Sequence, residues 1–267
     1  MKLSSLSLRS MTFRIATVVF LAASGSVSAG VLNQFKDGSW TLAGEADGYV
    51  GPGAGGQLFD AEYLFYKQSG TVLTIGLQAG FDLRNLANGY LHTDHRRYYA
   101  GDLALSFDNT PTTYEYAVDF GLKTLDYYGH NVGLGSGNTD PAGLYRVSAW
   151  NNQIAFPTSS PFAMDAGTWV VGLNKIGGVT QNFTGSGYPT SGPAGKSYYR
   201  IVSFDLAGLG LGDNLSAHWT MSCGNDVIGG RGTVTHKVPE PSTLVLLGAG
   251  LLGISVMRRR RMRHTMI

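Results

Sequence analysis

Short runs in which apolar and polar residues alternate, bounded by Gly, Asn, Asp and Pro, dominate the chain from Trp40 to Lys237. A period of two marks strands that bury one face. The run Leu58 to Tyr66 turns through Gln68-Ser69-Gly70 into Thr71 to Leu77, which predicts a hairpin. Leu73, Ile75 and Leu77 share a core face, and Phe59, Ala61, Tyr63 and Phe65 share one on the partner strand. A second hairpin is predicted from Gly101 to Phe107, through Asp108-Asn109-Thr110-Pro111, to Tyr114 to Phe120. Here Leu103, Leu105, Phe107, Tyr114, Tyr116, Val118 and Phe120 point inward. Further strands are expected at Trp40 to Ala43, Leu144 to Trp150, Thr168 to Leu173, Tyr198 to Leu206, Leu215 to Ser222 and Gly232 to Lys237. Gly/Ser/Asn-rich loops at 129–140 and 177–197 join them. No long stretch has helical spacing and no repeat of fixed period is visible. The pattern predicts an all-β domain over residues 30–237, an antiparallel two-sheet sandwich of jelly-roll-like kind.

The two ends of the chain break this pattern. Lys2, Arg9 and Arg14 precede an apolar run from Ile15 to Ala23 and then Val27-Ser28-Ala29. A charged start, a short apolar stretch and small residues at the end make a secretory signal peptide over 1–29. Cleavage is expected after Ala29, leaving Gly30 as the new N-terminus; the alternative is an uncleaved anchor. At the other end Val238-Pro239-Glu240-Pro241 precedes an apolar run from Leu244 to Met257, then Arg258, Arg259, Arg260 and Arg261 with Arg263 close behind. The prolines stop any element of the preceding domain from running on. The apolar run predicts a transmembrane helix over 243–257, short enough that snorkelling arginines or local thinning must help it span. The arginines place the C-terminus in the cytoplasm and the β domain outside. A buried helix with a basic tail is the bland alternative, but a globule gains nothing from a Leu/Gly run beside a block of like charge.

The ordered Pro-Glu-Pro motif, apolar helix and arginine cluster closely resemble the PEP-CTERM sorting signal of Gram-negative bacteria. The resemblance implies an exosortase, a membrane-embedded protease, as processing partner. It also implies transient residence in the inner membrane, and a cell-surface or biofilm-matrix destination in a producer of extracellular polysaccharide. Phe59-Asp60-Ala61-Glu62, Gly101-Asp102-Leu103-Ala104, Tyr114-Glu115-Tyr116 and His218 to Asp226 resemble a domain of uncharacterised exported surface proteins. That likeness implies a β-sandwich and no particular activity.

Charge changes the picture once the ends are set aside. Eight of the 20 basic residues and one of the 18 acidic ones sit in the terminal segments, leaving 12 basic against 17 acidic residues in 30–237. A mildly acidic domain argues against a nucleic-acid partner. Cys223 is the single cysteine, so no internal disulfide forms, and a buried apolar role is expected of it rather than a nucleophilic one. Asp60 and Glu62 fall side by side, where like charges need water, a cation or a donor. Asp60, Glu62, Asp102 and Asp226 are therefore candidate ligands of a structural calcium, against a solvated acidic rim. His92, Asp94 and His95 carry the parts of a transition-metal site, but two neighbouring arginines oppose it.

No catalytic constellation stands out. There is no Gly-x-Ser-x-Gly elbow, and Gly135-Ser136-Gly137 and Gly185-Ser186-Gly187 look like flexible loops. A glycoside hydrolase would draw its carboxylates from Asp60, Glu62, Asp102 and Glu115. A carbohydrate-binding module, with or without calcium, would stack sugars on Trp40, Trp150, Trp169 or Trp219, each otherwise a core residue. The expectation is a non-enzymatic exported surface protein without a cofactor, with glycan binding as the alternative.

Overall fold

The computed structural model describes residues 30–46, 50–83, 89–108, 113–134, 140–172, 182–187, 196–235 and Leu251. The expected signal peptide through Ala29, the residues Val238 to Pro241, the arginine cluster, Asn109 to Pro111 and Gly135 to Gly137 lie outside these residues. So does the predicted helix at 243–257, Leu251 apart. Among the described residues no helix is long and apolar enough to cross a membrane.

The fold is mostly strand. A five-stranded antiparallel sheet contains β1 (Thr41–Glu45), β2 (Ala61–Ser69), β3 (Val72–Ala79), β12 (Asn182–Gly187) and β13 (Ser197–Asp205), in the order β1-β2-β3-β13-β12. A six-stranded antiparallel sheet contains β6 (Leu103–Ser106), β7 (Tyr116–Asp119), β10 (Gly143–Asn151), β11 (Ala163–Gly172), β14 (Asn214–Thr220) and β15 (Val227–Thr233), in the order β11-β10-β7-β6-β14-β15. Two short ribbons pair β4 (Tyr90–Leu91) with β5 (Arg97–Tyr98) and β8 (Thr124–Leu125) with β9 (Asn131–Val132). Neighbours in sequence are mostly neighbours in a sheet, and the chain changes sheet three times, after β3, β11 and β13.

One buried cluster holds the sheets together. Leu64, Leu73, Ile75, Leu77, Val202 and Phe204 from the five-stranded sheet meet Leu103, Leu105, Val118, Leu144, Leu215 and Trp219 from the other. A fully buried side chain of this size contributes roughly 1.5–3 kcal/mol, so this cluster dominates stability. The inward sets expected on β3 and β6 are the observed ones.

On β2 the expectation fails, and a β-bulge is the reason. Ala61 pairs with Ala79 but Tyr63 pairs with Gln78, so Glu62 is an extra residue in the ladder. Phe59, Ala61 and Leu64 face the main core, whereas Tyr63 and Phe65 turn to the opposite face. There they form a second cluster with Leu32 and Phe35 of the segment entering β1. Phe35 stacks on Phe65 at 4.5 Å, and Gly76 makes room for it, since a Cβ there would lie 2.3 Å from the Phe35 ring.

Three further differences have a common cause, backbone pairing overriding side-chain pattern. β12 runs through Gly185-Ser186-Gly187, expected to be loop, because six residue pairs tie it to β13. β15 begins at Val227 rather than Gly232, and its glycines admit a close neighbour. A Cβ on Gly44 would lie 2.1 Å from the Gly229 carbonyl, so β1 and β15 touch across the sheet edges. β11 begins at Ala163, five residues before the expected Thr168.

Candidate functional site

Where β1 meets β15 the surface opens into a groove of about 490 Å³, lined by Ala43, Tyr114, Ser216, Gly229 and Arg231. A second depression of about 290 Å³ continues past Tyr114, between Trp150, Asn152, Ser160 and Pro161. Tyr114 was expected in the core. Instead it precedes β7 and is half-buried, forming the wall common to both depressions. Its carbonyl accepts a 2.9 Å hydrogen bond from Trp150 Nε1, which fixes the two aromatic residues against each other. Its ring lies 5.4 Å from that of His218. His218 Nε2 faces the Ser159 and Pro161 carbonyls at 3.1 and 2.9 Å, and burial lowers its pKa. The neutral imidazole is thus a prop that donates to the 159–161 segment. Arg231 is exposed at the other side of the groove. Gly229 leaves the floor open, because a Cβ there would meet nothing nearer than the Ala217 carbonyl at 3.9 Å. A flat aromatic face beside a guanidinium, an amide and hydroxyls is suited to polyhydroxylated ligands.

The other tryptophans divide. Trp219 is fully buried and donates to the Gly101 carbonyl at 3.0 Å. Trp40 carries Lys67 4.2 Å above its ring, and Trp169 is 43% exposed and edge-on to Tyr145.

The four candidate calcium ligands do not converge. Asp60 and Asp226 are together: their carboxyl groups hydrogen-bond each other, and Asp226 also accepts from the Ala61 and Gly51 amides at 2.7 and 3.1 Å. Burial raises the Asp226 pKa. Glu62 is next to them at the bulge but has its own partners. Gln57 and Gln78 each donate to it at 2.5 Å, and Ser197 donates at 2.7 Å. Burial pushes its pKa up to about 8. Asp102 belongs to a separate group with Asp119 and Asp140, accepting from the Met164 amide at 2.8 Å. Burial raises the pKa of both Asp102 and Asp119, and the negative charge of Asp140 adds to each. All four candidates are 6% exposed or less, so the solvated acidic rim is also overturned. The bulge turns Glu62 inward, and neutral donors take the place of water. Among the described residues no group of three or more His, Cys, Asp or Glu side chains is arranged to hold a metal ion.

In the 92–96 turn Asp94 accepts from Tyr98 Oη at 2.6 Å and from the Arg96 amide at 2.9 Å. His92 Nδ1 lies 3.3 Å from Asp94 Oδ1. Asp94 thus ties the turn to its own ribbon. Cys223 is a buried core residue, its thiol pushed up to about 12 by burial.

Sequence reasoning missed Arg200. It stands among inward-facing Tyr198, Val202 and Phe204, and a cation on that parity was the available signal. The guanidinium donates to the Leu83 and Phe120 carbonyls at 3.0 and 3.3 Å and covers the Phe120 ring.

Comparison with known proteins adds one finding at the C-terminal end. The family model of the PEP-CTERM protein-sorting motif matches residues 237–261. The chain carries a PEP-CTERM sorting motif. The match includes Val238-Pro239-Glu240-Pro241 and Arg258 to Arg261, and it supports an exported chain processed by an exosortase. No curated protein and no solved structure matches the chain.

Proposed function

We propose that the protein is a non-enzymatic component of the cell surface or extracellular matrix. It is exported by the 1–29 signal, held in the inner membrane by the 243–257 helix and released by an exosortase near Pro241. The sorting-motif match carries this reading. The β domain of residues 30–237 is the cargo, a two-sheet sandwich facing an environment rich in polysaccharide. Intact mass and cell fraction, measured in the host with and without the membrane protease, test it. The released form should end close to Pro241, and loss of the protease should leave full-length chain in the membrane fraction. Identical anchored chain in both strains would make the tail an ordinary membrane anchor.

A second reading concerns the cargo itself, and the groove favours it. The Tyr114 and Trp150 rings beside Arg231, Asn152 and Ser216 form a binding surface for a polysaccharide. Asp60, Glu62 and Asp102 are absent from its lining, so this reading needs neither calcium nor a carboxylate pair.

A further inference from the structure

The Glu62 carboxyl is completely buried, and the groups that hold it are neutral. The charged group that faces it is Asp60, of the same sign, itself set against Asp226. A buried carboxylate without a cation is expensive. Gln78 connects this carboxyl to the start of the exported domain. Its Nε2 donates both to Glu62 at 2.5 Å and to the Gly30 carbonyl at 2.9 Å. Its Oε1 accepts from the Leu32 amide at 2.9 Å. Two acceptors on one amide nitrogen lie within about 5 Å of each other, so the Gly30 backbone runs past the Glu62 carboxylate. Buried Leu32 and Phe35 pin the segment there.

We propose that removal of the signal peptide supplies the missing cation: the Gly30 ammonium, released by cleavage, becomes the counter-charge of Glu62. Addition of water across the Ala29–Gly30 amide leaves a carboxylate on Ala29 and an amine on Gly30, which takes up a proton. Before cleavage that nitrogen is an uncharged peptide amide, and the fold carries a buried acid that must stay protonated. After cleavage the glycine, with no side chain to restrict it, swings its ammonium towards the carboxylate. The exported domain therefore reaches full stability only once processed. This inference rests on the export reading and on cleavage after Ala29.

The test uses chain 30–267 with a free Gly30 amine, the same chain Nα-acetylated, and Glu62→Gln in both forms, with thermal melts across pH. Without a cation, the raised pKa of Glu62 means that stability is complete below the ordinary carboxylate range. It is lost as pH climbs through about 8. The acetylated chain should show that loss, and the free chain should hold its melting temperature until its amine deprotonates. Glu62→Gln should bring the two profiles together. Profiles that coincide in the wild type, or that still differ in Glu62→Gln, overturn the proposal. Should Glu62→Gln fail to fold, titration of a ¹⁵N-labelled Gly30 amine decides. Pairing lifts it above the ordinary α-amino value of about 8, and an unshifted value sinks the idea. N-terminal sequencing of the exported protein separates the two layers. A start other than Gly30 removes the cleavage premise and with it the proposal, whereas a Gly30 start with coincident profiles refutes the ion pair alone.

Discussion

Buried acids set the chemistry of this domain at the scale of single residues. Asp102, Asp119 and Asp140 crowd together behind the six-stranded sheet, and Arg200 is the cation that reaches Asp119 electrostatically. Burial is the largest cause of the upward shifts of Asp102 and Asp119, with repulsion from Asp140 added at both and from Asp102 added at Asp119. Both therefore bind a proton more tightly folded than unfolded. Their contribution to stability is complete below the unfolded carboxylate pKa and declines as pH rises through their raised folded values. Asp119→Asn should flatten the fall of melting temperature between about pH 6 and about pH 9 by removing one such proton. Calorimetry across that range checks it, and an unchanged slope would mean that Asp119 is ionised in the fold. Asp102 precedes inward-facing Leu103, and Asp119 falls between inward-facing Val118 and Phe120, so alternation puts both off the main core face. Their burial was not legible, because it depends on Asp140 and Met164, which arrive from distant parts of the chain.

The same division between local and distant causes explains the elements. Strands β3, β6, β13 and β14 were readable because each keeps a period of two against one core. Strand β2 misled because its bulge at Glu62 reverses the facing of everything after it, moving Tyr63 and Phe65 to the Phe35 cluster. Nothing in Ala61-Glu62-Tyr63 announces a bulge. Strands β12 and β15 were hidden by glycine, which in β15 serves the contact with β1 rather than a turn. That contact has a sharp consequence. The obstacle to a side chain at Gly44 is the Gly229 backbone carbonyl, which has no rotamer to change. Gly44→Ala should therefore separate β1 from β15 and cost about 1–3 kcal/mol, the range for overpacking at a close-packed site. Urea denaturation measures the loss. Unchanged stability would mean that the edges slide apart freely, and the seam would then carry little of the fold.

At the scale of the whole molecule, the C-terminal end carries a sorting motif, and the β domain is the cargo we propose for it. The sorting motif was legible because its signal is linear: Pro-Glu-Pro, apolar run and charge follow one another without needing a fold. The groove was not, because it joins Ala43 of one sheet to Ser216 and Arg231 of the other and to Tyr114 ahead of β7, and Tyr114 looked like a core residue. Gly229 makes the glycan reading testable without disturbing that architecture. It sits on the groove floor with open space above it, so Gly229→Leu fills the groove while the aromatic wall and both sheets stay intact. Affinity electrophoresis of the exported protein through gels containing the host's own extracellular polysaccharide gives the readout. The wild type should be retarded and Gly229→Leu should migrate as in a plain gel, a loss of roughly tenfold or more in affinity if a stacked sugar is displaced. A matching melting temperature shows that the fold is retained. Equal retardation of the two proteins would place polysaccharide elsewhere on the domain, and no retardation of the wild type would leave the β domain without glycan affinity.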